Sequence, residues 1–198
     1  MKYGFIGCGN MGGAIASALA KSTTEIYITD RSGKAKDLAA TLGCQYTDIF
    51  TIANECDRIF LAVKPQMMAD VLAPVQQILQ LRKPLLITMA AGLTIEKIQT
   101  LAGGVAPVVR IMPNTPVAVG KGMIPYCCNK FVQPDELADY SMICSMWDEW
   151  IPLRKNSSML PLPYPAQDLH ICMCSLKLWQ TVPLLAVCQE RKHWSMLQ

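Results

Sequence analysis

The sequence predicts an α/β fold, a doubly wound parallel sheet followed by an irregular tail. Three observations carry this expectation. Short apolar runs alternate with amphipathic stretches as far as Trp147, the pattern of strands joined by crossover helices. All 12 glycines lie between Gly4 and Gly122, whereas all 4 tryptophans lie between Trp147 and Trp194, so the chain changes character near residue 150. Between the first apolar run and the first amphipathic one stands Gly7-Cys8-Gly9-Asn10-Met11-Gly12, a G-x-G-x-x-G set.

Strands are expected at Lys2–Gly7, Glu25–Asp30, Arg58–Val63, Pro84–Met89 and Val105–Met112, with a short further candidate at Gly122–Tyr126. Helices fall between them. Met11–Lys21 places Ile15, Ala18 and Leu19 on one face, and Lys34–Leu42 follows a turn at Arg31–Gly33. Gln66–Leu81 carries Met67, Val71, Leu72, Val75 and Leu79 at helical spacing. The methionines in these positions read as core filler.

Composition narrows the function. Hydrophobic residues make up 52% of the chain and charged residues 17%, which is too apolar for a disordered protein. The net charge is +3 and no cluster of Lys and Arg occurs, so nucleic acid is not an expected partner. No apolar stretch is long enough to span a bilayer. Met1–Phe5 starts a strand and lacks the basic start of a signal peptide, so a cytoplasmic location is expected. The 9 cysteines are odd in number and irregularly spaced, which points to reduced thiols. With no Cys-x-x-Cys, and with His170, Cys172 and Cys174 crowded together, no metal site is expected.

The glycine set fits a Rossmann-type dinucleotide site. Gly7 would make the tight turn, Gly9 would let a pyrophosphate approach the backbone, and Gly12 would let the helix pack on the strand. Asp30 closes the second strand, where its carboxylate could accept both ribose hydroxyls and favour NAD. Arg31 follows it and could instead pair with a 2′-phosphate. Ser32 reads equally well as an ordinary helix cap. The choice between NADPH and NADH stays open.

Further motifs follow in order: Phe60-Leu61-Ala62-Val63-Lys64-Pro65, then Met89-Ala90-Ala91-Gly92, then Arg110-Ile111-Met112-Pro113-Asn114-Thr115-Pro116 with Val119-Gly120-x-Gly122. Together with the loop at Gly7 they resemble pyrroline-5-carboxylate reductase, the last enzyme of proline biosynthesis, over residues 1–147. The resemblance implies an NAD(P)-binding domain over residues 1–152, NADPH or NADH as cofactor, and reduction of the small molecule 1-pyrroline-5-carboxylate to L-proline. It also implies Ile6, Gly7, Gly9, Asn10 and Met11 on the pyrophosphate, with Gly12 behind them, and Asp30, Arg31 and Ser32 near the adenosine ribose. Ala62, Val63, Lys64 and Pro65, with Met89, Ala90 and Ala91, would line the ribose and nicotinamide, and Asn114 would close the floor near the ring. Hydride transfer to an imine needs no metal and no covalent intermediate, so no acid or base is assigned, and Lys64 is read as a packing or cofactor contact. The family forms homo-oligomers. Two other readings are a non-catalytic nucleotide-binding module and a reductase of the β-hydroxyacid or imine type.

Residues 153–198 do not continue the resemblance into the family's helical substrate and dimer domain. Pro152, Pro161, Pro163 and Pro165 interrupt any long helix there, and glycine is absent. Written as CAA GAG AGA AAG CAT TGG AGT ATG CTG CAG, Gln189–Gln198 reads R-E-K-A-L-E-Y-A-A when two bases are dropped. At the same offset Tyr164–Ile171 can be written S-G-T-G-P-A-Y-L, the family's substrate-loop pattern. The expectation is a frameshift near Pro152–Arg154, a poorly ordered tail, and little or no activity of the 198-residue chain alone.

Overall fold

The computed structural model describes residues 1–113, 123–136 and 149–152, the last stretch by its backbone alone. Asn114 and the tail 153–198 lie outside the described residues. The strands are β1 (Tyr3–Ile6), β2 (Ile26–Thr29), β3 (Gln45–Tyr46), β4 (Arg58–Leu61), β5 (Leu85–Thr88), β6 (Val108–Ile111), β7 (Met123–Cys128) and β8 (Glu149–Pro152). They form one sheet in the order β3-β2-β1-β4-β5-β6-β7-β8. Pairing is parallel from β3 through β6, β7 runs antiparallel to β6, and β8 is parallel to β7. This is the doubly wound α/β class expected from the sequence.

Every residue of β1, β4, β5 and β6 is buried, because helices cover both faces. On one face Phe5, Ile26, Ile28, Phe60, Ile87 and Val109 pack with Ile15 and Leu19 of α1 (Asn10–Leu19) and with Ala35 and Ala39 of α2 (Lys34–Leu42). Phe5 and Phe60 stack at the centre, with ring centroids 4.5 Å apart. The opposite face joins Ile59, Leu61, Leu86 and Val108 to Ile52 of α3 (Ile49–Glu55). Met68 and Leu72 of α4 (Met68–Leu72), Leu79 of α5 (Gln76–Arg82) and Ile98 of α6 (Ile95–Leu101) complete that layer. Each fully buried side chain of this size contributes about 1.5–3 kcal/mol.

The helix expected over Gln66–Leu81 is broken. A 3-10 turn at Pro65–Met67 leads into α4, and a second at Ala73–Val75 separates α4 from α5. Pro74 is the cause: it has no amide hydrogen to donate, and its ring crowds the carbonyl one turn back. The expected strand Val105–Met112 is confined to Val108–Ile111, since Pro107 cannot donate to a ladder. The candidate at Gly122–Tyr126 is realised as β7, displaced toward Cys128.

Strands β3 and β8 were not anticipated; α3 and α6 lie between expected strands, where helices were expected without stated limits, and both begin at recognisable caps. Asp48 Oδ1 accepts hydrogen bonds from Phe50 N (2.8 Å) and Thr51 N (3.0 Å). Thr94 Oγ1 accepts from Lys97 N at 3.2 Å. Strand β1 has β2 on one side and β4 on the other, so the chain winds outward from β1 in both directions. The crevice beyond the carboxyl ends of β1 and β4 is where such sheets take ligands.

Candidate dinucleotide site

Backbone bonds set four loops side by side along the carboxyl edge of the sheet. Gly7 N donates to Thr29 O (2.8 Å), Ala62 N to Ile6 O (2.9 Å) and Met89 N to Leu61 O (3.4 Å). Ile6 through Gly12, Asp30 through Ser32, Ala62 through Pro65 and Met89 through Ala91 are thereby gathered at one edge.

In the first loop Gly7 has φ +96°, and a β-carbon there would lie 2.7 Å from the Ala62 carbonyl oxygen. Gly12 is buried, and a β-carbon on it would collide with the Gly7 carbonyl oxygen and stand 2.7 Å from Ala62 Cβ. Gly9 differs from both in that a β-carbon would meet nothing within 4 Å, and its φ of −69° is open to any residue. Gly9 and Asn10 are exposed, while Met11 is half-buried. Helix α1 starts at Asn10 with Gly9 as its cap residue, without a side-chain capping bond and without an acidic residue in the first turn. The first helical bond runs from Gly13 N to Gly9 O at 2.8 Å. A helix start with open space in front and no capping side chain suits an anion, which its amides and dipole attract.

Cys8 lies between the two glycines, and burial first, with the nearby Asp30 charge second, pushes its thiol up to about 12. The thiol is neutral at physiological pH and adds no negative charge to the loop. Cys8, Cys44, Cys56 and Cys127 are free thiols.

At the end of β2 the carboxylate of Asp30 folds back into its own turn. Oδ2 accepts from Ser32 Oγ at 2.6 Å and Oδ1 accepts from Gly33 N at 2.9 Å. The cap residue of α2 is Gly33, with φ +80° and no side-chain capping bond. Ser32 is therefore not a helix cap, contrary to one expectation: its hydroxyl is given to Asp30, and the left-handed backbone at Gly33 is what admits the chain to the helix. Arg31, Ser32 and Lys34 are exposed.

After β4, Ala62, Val63 and Pro65 are half-buried and Lys64 is exposed. Lys64 is the extended residue that opens the 3-10 turn, and its carbonyl accepts from Met67 N at 2.9 Å. After β5, Met89 packs against the core face that holds Phe5, Ala90 is buried in the opposite one, and Ala91 is exposed. Ala90 N donates to Thr88 Oγ1 at 3.3 Å, and the turn closes at Gly92 with φ +78°. The expected turn at Arg31–Gly33 is present, with Gly33 as its left-handed last residue, whereas nothing in the sequence pattern marks Thr88.

Fold and site together define a dinucleotide-binding α/β domain of the Rossmann type. Residues 2–92 match the family model described as NADP oxidoreductase, coenzyme F420-dependent. A pyrroline-5-carboxylate reductase of Escherichia coli (strain K12) is 35% identical over 144 residues, covering 70% of this chain and 53% of the relative. Among solved structures, a pyrroline-5-carboxylate reductase of Coxiella burnetii aligns with TM-score 0.75 at 26% identity, over 99% of this chain and 77% of that one. The Plasmodium falciparum pyrroline carboxylate reductase, solved with NADP bound, aligns with TM-score 0.66 at 28% identity, over 78% of this chain and 58% of that one. Over about 70% of its length the chain is similar to a pyrroline-5-carboxylate reductase. It spans about half the length of the curated relatives it matches.

Proposed function

We propose that this chain binds NADPH or NADH at the carboxyl edge of the sheet and provides the cofactor half of a reductase that converts 1-pyrroline-5-carboxylate to L-proline. The observation that carries the reading is the start of α1: no side chain caps it, open space lies in front of Gly9, and Gly12 seats it directly against β1 and β4. The kinship with pyrroline-5-carboxylate reductases supports the substrate. When bound, the reduced nicotinamide supplies a hydride to the imine carbon. Backbone amides of Gly9, Asn10 and Met11 would hold the pyrophosphate, Ile6 and Gly7 would shape its bed, and Asp30 through Ser32 would border the adenosine ribose. Ala62–Pro65 and Met89–Ala91 would fix the nicotinamide ribose and orient the ring; the role expected of Asn114, closing the floor near the ring, falls on a residue outside the described ones. Positioning of this kind is the protein's main contribution to hydride transfer.

The domain division at residue 152, the out-of-frame origin of residues 153–198, a cytoplasmic location and homo-oligomeric assembly remain part of this proposal. Among the described residues no helix is long and apolar enough to cross a membrane.

Gly9→Ala is the direct test, because the new methyl group meets no protein atom. The expected result is an unchanged fold with NADPH binding weakened about tenfold or more, roughly 1.4 kcal/mol. Unaltered binding would remove the reading. A pure binding module would take up the nucleotide equally well but would give no proline from pyrroline-5-carboxylate in the complete oligomeric enzyme.

A further inference from the structure

Among the described residues the buried polar side chains are Arg58, Thr88 and Arg110, all on strands of the sheet. Thr88 of β5 stands opposite Arg110 of β6. Both project on the face that holds Leu86 and Val108, because residues two apart on a strand share a side. Thr88 Oγ1 is taken by Ala90 N at 3.3 Å. Arg110 is 8% exposed, its Nε is buried without a hydrogen-bond partner, and it forms no ion pair among the described residues. Glu96, the acid in the first turn of α6, is exposed. The charge of Arg110 is felt by its neighbour across β6 and β7: burial raises the Cys127 thiol, and Arg110 opposes the rise.

A guanidinium stays charged at any physiological pH. Buried and uncompensated, it is screened far less than a surface cation. Strand spacing and rise put the Arg110 backbone about 6 Å from Met89, the first residue of the turn read as bordering the nicotinamide. The reduced nicotinamide ring is neutral, whereas the ring left behind when hydride departs with its electron pair carries one positive charge. A fixed cation beneath the turn opposes only the second form.

We propose that Arg110 makes this site selective for the redox state of its cofactor: its buried, unpaired charge below the Met89–Ala91 turn disfavours the oxidised nicotinamide, so that spent cofactor is released and reduced cofactor retained. This rests on the dinucleotide reading above and deepens it. The phosphates are the same in both forms and cancel from the comparison.

Calorimetric titration of the 198-residue chain with NADPH and with NADP+ tests the proposal. Wild-type protein should bind NADPH at least about threefold more tightly than NADP+, the scale of two like charges roughly 10 Å apart with partial screening. Arg110→Met removes the charge at similar length and with it a burial cost, and should bring the two affinities together. Arg110→Lys, which keeps the charge, should keep most of the difference. A merely structural role would weaken both nucleotides alike and leave their ratio as it was. Should Arg110→Met not fold, Arg110→Gln removes the charge while keeping a polar side chain and gives the same readout. Equal or tighter NADP+ binding by wild type overturns the proposal, as does an unchanged ratio in a folded, uncharged variant. Failure of both nucleotides to bind the folded chain overturns instead the dinucleotide reading, and this proposal with it.

Discussion

Gly12 lies so close to Gly7 that a single added carbon on Gly12 would strike the Gly7 carbonyl oxygen, with Ala62 Cβ closing the other side. The backbone of α1 is thus wedged between the ends of β1 and β4. Gly12→Ala should destabilise the domain by about 1–3 kcal/mol, as overpacking of a tight contact does. A lowered urea midpoint at unchanged slope is the expected reading. Gly9→Ala in the same titration should lower the midpoint far less, because the new methyl group meets no protein atom and only the preference for glycine over alanine at the cap is lost.

Phe60 should be a stability residue without a direct role in the site. It is fully buried and stacked on Phe5 at 4.5 Å between centroids. Phe60→Ala should cost about 3–5 kcal/mol. Thermal unfolding monitored by far-UV circular dichroism is the check, and a loss below 1 kcal/mol, roughly that of an exposed site, would contradict the packing described.

Alkaline pH should weaken the fold. Burial pushes the thiols of Cys8 and Cys56 from 9.0 up to about 12. The folded state therefore keeps protons that the unfolded chain releases, so their contribution is complete below pH 9.0 and is lost as pH rises toward about 12. Urea midpoints should fall across that window, and Cys8→Ala should make the fall shallower. A midpoint that stays flat would rule out buried protonated thiols.

The cap of α3 offers a smaller, cleaner effect. Asp48 accepts from Phe50 N, Thr51 N and Thr51 Oγ1, and these hydrogen bonds lower its carboxyl from the ordinary value. Asp48→Ala should cost about 1 kcal/mol. Asp48→Asn should recover part of it, and equal losses in the two variants would assign the effect to charge instead of capping.

Much of the doubly wound sheet was legible because strands buried on both faces read as unbroken apolar runs. The stretches 3–6, 59–61 and 85–87 within β1, β4 and β5 are of this kind, although β4 opens on the buried Arg58 and β5 closes on the buried Thr88. Helix α2 matched its expected limits because Gly33 and Gly43 bracket it with left-handed backbone. Short elements escaped: β3 has 2 residues, both exposed, so it offers no periodicity. Pro74 was visible, yet helical spacing was allowed to run through it. The placement of the loops could be read from the glycines, but the orientation of Asp30 could not. A carboxylate beside Arg31 and Ser32 has several partners to choose from, and only coordinates reveal that it takes Ser32 and Gly33.

The reading-frame proposal has its own test, resequencing the coding DNA from the codon of Tyr140 through and beyond that of Gln198. An added or missing base beside Pro152 is the expected finding. An intact frame whose shifted reading soon meets a stop would refute it and leave the reductase reading to the cofactor domain alone.

Gly7, Thr29, Ile6, Ala62, Leu61 and Met89 form a row of backbone bonds from which all four loops hang. Such a row makes the loops a single mechanical part. Fraying of β2, β4 or β5 would pull the loops out of alignment together, so the affinity of this edge for a nucleotide reports the order of the whole sheet. Agents that soften the sheet without touching the edge should weaken binding in proportion to the opening they cause. In the other direction, a bound nucleotide should slow amide exchange deep in β1 and β4, in strands it never touches.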